Sequence, residues 1–240
     1  MSSQDIPPKE VSPAARDWWF HVTPKETQKN GLMIVGIEGG LSKGTESLAR
    51  NKWGDWCVGE WTRFVITDPT KQAKYRTKNI EWLKILGYDI QTDEPEKNEN
   101  RIQSTNWLLS ENRSDRNSDE VLVENTGKFL DAIDFFKPKV IMLMGKRLSV
   151  VLGDPKVKAQ FESENRFGKQ LGDPQWTYSK PNGFKKGFNF SYWEFEKCKV
   201  LGLPHPTGSH GLLNKHLAEL PEPMLGSYKS ALKEVFESGH

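Results

Sequence analysis

The sequence predicts an α/β fold in which a central, mostly parallel sheet of four strands lies between two layers of helices. Two observations support this prediction. Four short, continuous apolar runs recur along the chain, as is typical of strands buried on both faces of a parallel sheet. Segments with helical periodicity separate these runs, as in βαβ units. We therefore expect one three-layer α/β/α domain over residues 31–240, preceded by an N-terminal arm over residues 1–30.

The first predicted strand is the apolar run 31–36, and a glycine-rich loop over residues 37–45 follows it. Apolar residues at helical spacing from Ile80 onward indicate a helix that ends at Gly87. A second strand is predicted at 104–109.

The second half of the predicted sheet begins after a helix whose apolar face runs over residues 122–136. A third strand is predicted at 140–144, and Gly145 opens the next helix. Residues 154–196 are aromatic, basic and glycine-containing, and no element is predicted there. The fourth strand is predicted at 199–203. A helical pattern over residues 212–220 and an amphipathic helix over residues 224–236 complete the prediction.

Composition narrows the classes of protein to consider. Charged residues make up 28% and hydrophobic residues 35% of the chain, and no run approaches the roughly 20 apolar residues that cross a bilayer. The polar start predicts no secretory signal, and two cysteines cannot form a disulfide framework. We therefore expect a cytoplasmic protein without a membrane partner. A net charge of +2 does not by itself indicate nucleic acid, but nine tryptophans and twelve phenylalanines include potential stacking platforms for bases.

Two loops at predicted strand ends carry groups suited to catalysis. Glu38 follows the first strand, and His205 follows the fourth, between two prolines that end the strand. A doubly wound sheet would bring both loops to the same edge, where a helix N-terminus favours anions. A carboxylate facing an imidazole can position water, stabilise a developing cation and hydrogen-bond a departing anion.

Other interpretations of these residues remain open. Glu38 could be a capping or surface residue, and His205 could be a satisfied turn histidine. The segment 40–44 matches the G-x-S-x-G pattern of serine hydrolases with Ser42 as nucleophile, although it comes too early for the strands that normally precede that motif. A zinc site that includes Cys198 and His205 lacks familiar ligand spacing, and we expect no metal.

Several motifs together resemble the uracil-DNA glycosylase superfamily, in particular its mismatch-specific branch. Residues 36–42, Gly-Ile-Glu-Gly-Gly-Leu-Ser, resemble the first motif of that branch, Gly-Ile-Asn-Pro-Gly-Leu-Ser. Residues 200–208 are similar to its second motif, and residues 140–147 to its third strand and following helix start. Residues 104–108 are similar to the strand that carries a base-reading asparagine, and residues 167–170 to a segment between strands.

The resemblance implies a monofunctional DNA glycosylase, which flips a nucleotide out of the duplex and cleaves its base–sugar bond with water. Glu38 would hold the water and stabilise the oxocarbenium-like sugar, and His205 would stabilise the departing base. The implied base-binding residues are Gly36, Gly39, Asn106 and Trp53, with core packing as the alternative for Trp53. The implied DNA-binding residues are Ser42, Thr207, Ser209, His210, Leu212 and Lys146. A phosphate-facing stripe could include Lys146, Arg147, Arg166, Lys169, Lys185 and Lys186, with a solvated face as the alternative.

Departures from the family pattern bear on the expected substrate. Gly39 stands where the family has proline, and the segments 46–78 and 154–197 are long for this family. Both features favour a bulky modified base, such as the glucosylated hydroxymethylcytosine of phage DNA, and hence a bacterial or phage-encoded antiviral enzyme. The alternatives are a repair glycosylase for uracil or thymine mismatches and a non-catalytic DNA-binding member of the fold. We expect a monomer without a cofactor whose partner is double-stranded DNA with a modified or mismatched base.

Overall fold

The computed structural model describes residues 30–38, 74–88, 101–108, 118–180, 187–206 and 214–237. Six strands in these ranges form one sheet: β1 (Leu32–Glu38), β2 (Ile102–Leu108), β3 (Val140–Met144), β4 (Gln175–Ser179), β5 (Phe188–Glu194) and β6 (Lys199–Leu203). The same ranges contain helices α1 (Lys74–Ile85), α2 (Asp119–Glu124), α3 (Thr126–Phe136), α4 (Lys146–Leu152), α5 (Pro155–Phe161), α6 (Asn214–Ala218) and α7 (Glu222–Glu237).

The strand order in the sheet is β2-β1-β3-β6-β5-β4. We call β2, β1, β3 and β6 the parallel half, because each is parallel to its neighbours within this set. We call β5 and β4 the antiparallel half, because β5 runs antiparallel to both β6 and β4. The predicted α/β class with a mostly parallel sheet is confirmed. The predicted count of four strands is wrong, because residues 175–194, for which no element is predicted, add β4 and β5.

The strands of the parallel half are buried because helices pack on both faces of the sheet. Alternate residues of β1 point to opposite faces, as the period of two for a strand requires. Leu32 and Ile34 join a hydrophobic core with α1 and α7. Met33 and Val35 join a second core with helices α2 to α5. All five residues of β3 are buried, which explains why the apolar runs of the sequence predict these strands.

Trp107 anchors β2 to the helices on one face. Its side chain is fully buried, and its ring stacks on Phe129 of α3 with a centroid separation of 4.4 Å. The indole nitrogen donates a hydrogen bond of 2.9 Å to the carbonyl oxygen of Leu122. A buried indole N–H is thus paired, and the ring fixes α2 and α3 against the sheet.

Gly202 of β6 lies where the two halves of the sheet meet, since β6 pairs with β3 on one side and with β5 on the other. A Cβ at Gly202 would overlap the hydroxyl oxygens of Ser149 in α4 and Ser191 in β5. On the α7 side, the hydroxyl of Tyr228 reaches the carbonyl oxygens of Gly202, at 3.0 Å, and of Ser191. Glycine at this position therefore lets α4 approach β6 closely on the face of Ser149.

The boundaries of the predicted elements differ modestly from the observed ones. The strands predicted at 140–144 and 199–203 agree with β3 and β6, whereas β1 and β2 are displaced by one or two residues from their predicted ranges. The helical pattern over 212–220 corresponds to α6, which ends at Ala218, and residues 207–213 lie outside the described ranges. Among the described residues, no helix combines the length and the apolar character that a membrane crossing requires.

Candidate functional site

The carboxyl ends of the parallel strands meet at one edge of the sheet. β1 ends at Glu38, β3 at Met144 and β6 at Leu203. The strand order changes direction at β1, because β2 lies on one side of it and β3 on the other. Open α/β sheets bind ligands outside the carboxyl ends of the strands at such a switch point. This edge is therefore where a ligand site is expected.

A crevice of about 290 Å³ opens at this edge. Its wall combines the end of β1, the start of α4, the segment after β6 and the residues around the start of β5. The described residues that line it are Ile37, Gly145, Lys146, Arg147, Gly187, Phe188, Asn189, Pro204 and His205. The crevice thus draws on both halves of the sheet.

Gly145 lines the crevice between β1 and the segment after β6. Its φ of 130° lies in a region that other residues rarely adopt, and it turns the chain from the end of β3 into α4. A Cβ built there would lie 3.6 Å from Cδ1 of Ile37 and 4.0 Å from Cβ of His205. The side chains of Ile37, near the end of β1, and His205, after β6, therefore lie close together on either side of this glycine.

His205 is the titratable group of the crevice with a displaced pKa. It is half-buried, and desolvation lowers the pKa of its imidazole below the ordinary value. The ring is accordingly neutral at pH 7, with one nitrogen as a hydrogen-bond donor and the other as an acceptor. A neutral imidazole can donate a hydrogen bond to an oxygen that gains negative charge.

Two cationic residues form the α4 side of the crevice. Lys146 is exposed. The Nε of Arg147 donates a hydrogen bond of 2.8 Å to Oδ1 of Asp119, which joins α4 to α2 and holds the guanidinium at the crevice wall. Arg166, by contrast, lines a separate cavity that includes Pro138, which precedes β3, and its guanidinium forms two hydrogen bonds to the carboxylate of Asp134. Arg166 therefore does not belong to the crevice.

Gly36 and Asn106 are cross-strand neighbours near the same edge. A Cβ at Gly36 would lie 2.6 Å from Oδ1 of Asn106. The absence of a side chain at Gly36 therefore leaves room for the amide of Asn106 over β1. Asn106 is half-buried. It does not appear in the crevice wall, and its predicted contact with a base stays a prediction.

The remaining predicted site residues are only partly described. Glu38 is the last residue of β1, where its backbone pairs with Leu108, and its side chain lies outside the description. The other predicted residues outside the described ranges are Gly39, Ser42, Trp53, Lys185, Lys186, Thr207, Ser209, His210 and Leu212. Their predicted roles, including that of Ser42 as a hydrolase nucleophile, stay predictions. Of the predicted residues, the structure brings Lys146, Arg147 and His205 together in one crevice.

Three crevice residues at and just before the start of β5 are absent from the predicted site. They are Gly187, Phe188 and Asn189, and they belong to a stretch for which no strand is predicted. The available signal was the alternation of aromatic and polar residues at the start of 188–194, a pattern typical of a half-buried strand. Within the described ranges, no cluster of three histidine, cysteine or acidic side chains could hold a metal ion.

The fold is that of an α/β protein with a crevice at the carboxyl edge of its parallel strands, which is a candidate ligand site. No protein-family model matches the chain, and no curated protein matches it significantly in sequence. Its function is therefore inferred from its own residues.

Proposed function

We propose that this protein is a DNA glycosylase that hydrolyses the N-glycosidic bond of a modified pyrimidine flipped out of DNA. The observation that carries the proposal is a shared edge of the sheet: β1, which ends at Glu38, and the segment after β6, which carries His205, both reach one crevice, which Ile37 and His205 line. The strands β1 and β6 are separated only by β3, so their ends are about 10 Å apart. A nucleoside held between them would have Glu38 on one side and His205 on the other.

The proposed reaction breaks the bond between C1′ of the sugar and the base nitrogen. The bonding electrons leave with the base, and the sugar passes through an oxocarbenium-like state that the negative charge of Glu38 stabilises. Glu38 orients the attacking water and accepts its proton, and the departing base is protonated after it leaves. The product is an abasic site with both flanking phosphodiester bonds intact.

His205 serves this reaction as a neutral hydrogen-bond donor. Negative charge accumulates on the pyrimidine oxygen as the base departs, and an N–H group directed at that oxygen stabilises the transition state more than the ground state. The lowered pKa of His205 keeps the ring neutral near pH 7, and a neutral imidazole still has one N–H group that can donate to this oxygen.

The lining of the crevice supports a bulky modified cytosine as substrate. Its volume of about 290 Å³ is close to, but just below, the range of about 300–1,000 Å³ that is typical of small-molecule sites. Asn189 and Phe188 add an amide and an aromatic ring to the wall. These groups could contact the substituent of a glucosylated hydroxymethylcytosine, while Lys146 and Arg147 would face the phosphates. Uracil or thymine in a mismatch is the alternative substrate.

Measurement of released base on defined duplexes tests the proposal. The substrates carry one uracil, one mismatched thymine, one hydroxymethylcytosine or one glucosylated hydroxymethylcytosine. Mass spectrometry detects the free base, and strand breakage after alkali detects the abasic site. We expect release of the glucosylated base, and a loss of about 100-fold or more in rate for Glu38→Gln and for His205→Ala.

The matched control is Glu237→Gln, which removes an exposed carboxylate near the end of α7 and should leave the rate unchanged. Binding of the Glu38→Gln variant to the duplex should stay within about twofold of wild type, because its contribution is made in the transition state. Release of uracil or thymine alone would select the repair alternative. Binding without release from any of the four duplexes would reject the catalytic proposal and favour a non-catalytic DNA-binding protein.

A further inference from the structure

Two large aromatic side chains are exposed side by side on β4. Trp176 is 44% exposed and Tyr178 is 59% exposed. Residues two apart on a strand point to the same face of the sheet, so the two rings share one face. β4 is also the last strand of the sheet on its side. Exposed aromatic rings of this size at a sheet edge indicate an interaction surface.

This aromatic pair continues the wall of the crevice. Tyr178 pairs with Asn189 across the antiparallel ladder, and paired residues lie on the same face of a sheet. The hydroxyl of Tyr178 accepts a hydrogen bond of 2.9 Å from the backbone N–H of Gly187. Asn189 and Gly187 both line the crevice. A ligand that enters the crevice can therefore extend directly onto the β4 surface.

The two rings are held in place by packing. Trp176 contacts the buried Trp193 in an edge-to-face arrangement, with centroids 6.3 Å apart and an interplanar angle of 77°. The hydrogen bond to Gly187 restrains Tyr178. Rings restrained in this way lose little conformational entropy when a ligand stacks on them.

The spacing and the charge of this surface fit unpaired nucleotides. Two residues along a strand span about 6.8 Å, whereas the bases of one strand of duplex DNA are stacked every 3.4 Å or so. Neighbouring bases can therefore occupy both rings only when they are unstacked from each other. Lys180 is exposed next to the pair, Lys146 lies at the crevice, and residues 174–180 contain no acidic side chain. Aromatic rings beside cationic groups are the usual elements of single-strand binding surfaces.

We propose that Trp176 and Tyr178 form a stacking platform for unpaired nucleotides that flank the nucleotide in the crevice. The inference rests on the proposed function for the identity of the nucleic acid, DNA. It adds that the protein binds an opened or single-stranded segment more tightly than an intact duplex.

The test measures the affinity for a fluorescein-labelled 12-nucleotide oligothymidine by fluorescence anisotropy, with a duplex of the same length for comparison. Trp176→Leu and Tyr178→Leu remove the rings but retain apolar side chains. Each should weaken single-strand binding by about fivefold to 100-fold, the usual effect of losing one stacked base. Trp176→Phe and Tyr178→Phe keep a ring and should retain most of the affinity. Leu171→Ala, at another exposed apolar residue, is the matched control and should bind as wild type does.

Wild-type affinity in both leucine variants would overturn the platform, and so would an affinity for the duplex that equals that for the single strand. A change in self-association on size-exclusion chromatography, with unchanged DNA binding, would also overturn it and would indicate a protein contact instead. Because oligothymidine binding requires no base release, the platform and the glycosylase proposal can fail separately.

Discussion

The parallel and antiparallel halves of the sheet use similar residues for different purposes. In the parallel half, helices cover both faces, and Trp107 is fully buried among aromatic rings. In the antiparallel half, no residue of β4 is fully buried, and Trp176 presents much of its ring to solvent. The comparison shows that the parallel strands, covered on both faces, bury their aromatic side chains and align the strand ends, whereas the edge strand of the antiparallel half presents aromatic rings to solvent.

The strongest test of this comparison replaces one tryptophan in each half and compares the losses in the free energy of unfolding. Trp107→Ala should lower the free energy of unfolding by about 3–5 kcal/mol, because it leaves a large cavity and removes the buried hydrogen bond to the carbonyl of Leu122. Trp176→Ala should cost about 1 kcal/mol or less, as is usual for exposed positions. Urea denaturation monitored by circular dichroism measures both values. Equal losses would break the distinction between the two halves.

A smaller effect is expected at Gly202, where the halves join. Gly202→Ala should lower the free energy of unfolding by about 1–3 kcal/mol, because the new methyl group overlaps the hydroxyls of Ser149 and Ser191. The same denaturation measurement applies.

The control for Gly202 is a rescue variant. Combining Gly202→Ala with Ser149→Ala and Ser191→Ala removes both hydroxyls and should recover most of the lost stability. The Ser191 hydroxyl is buried and has no hydrogen-bond partner among the described residues, so its removal leaves no donor or acceptor unpaired. A triple variant as unstable as Gly202→Ala would show that the overlap is not the cause.

The smallest expected effect is a pH dependence that arises at the crevice. The pKa of His205 is lowered in the folded protein by burial, so the unfolded chain binds a proton more readily below about pH 6.5. The contribution of neutral His205 to stability is complete above that pH and is lost as the pH falls through the lowered folded pKa. The midpoint temperature of thermal unfolding, measured between pH 7.5 and pH 5, should therefore fall less toward acid pH for His205→Gln than for wild type. A steeper decline in the variant would contradict the sign of this shift.

The parallel half could be predicted from the sequence because its signal is local. Strands buried on both faces are continuously apolar. The apolar runs at 140–144 and 199–203 therefore predict β3 and β6. The antiparallel half gives no such signal. β4 alternates polar residues with exposed aromatic ones, and its place in the sheet depends on pairing with β5, whose paired residues lie nine or more positions further along the chain.

The candidate site was predictable to the same extent. The position of His205 after an apolar strand predicts that it lies at the carboxyl edge of the sheet, and it lies there because β6 is parallel to β3 and β3 to β1. The contribution of Asn189 could not be predicted, because it depends on the register of β5 against β6. The contact of Asn106 with the Gly36 position likewise depends on the register between β1 and β2, which no local pattern specifies.

β5 and β4 lie together at one end of the strand order, beyond β6. These two strands add to the outer flank of β6 and leave the order of the parallel strands unchanged, yet Phe188 and Asn189 at the start of β5 form part of the crevice wall. Other sequences could therefore replace residues 175–194 without moving the ends of β1 and β6. If the proposed function holds, chimaeras that exchange only this segment should differ in the base they release while Glu38 and His205 keep their proposed roles.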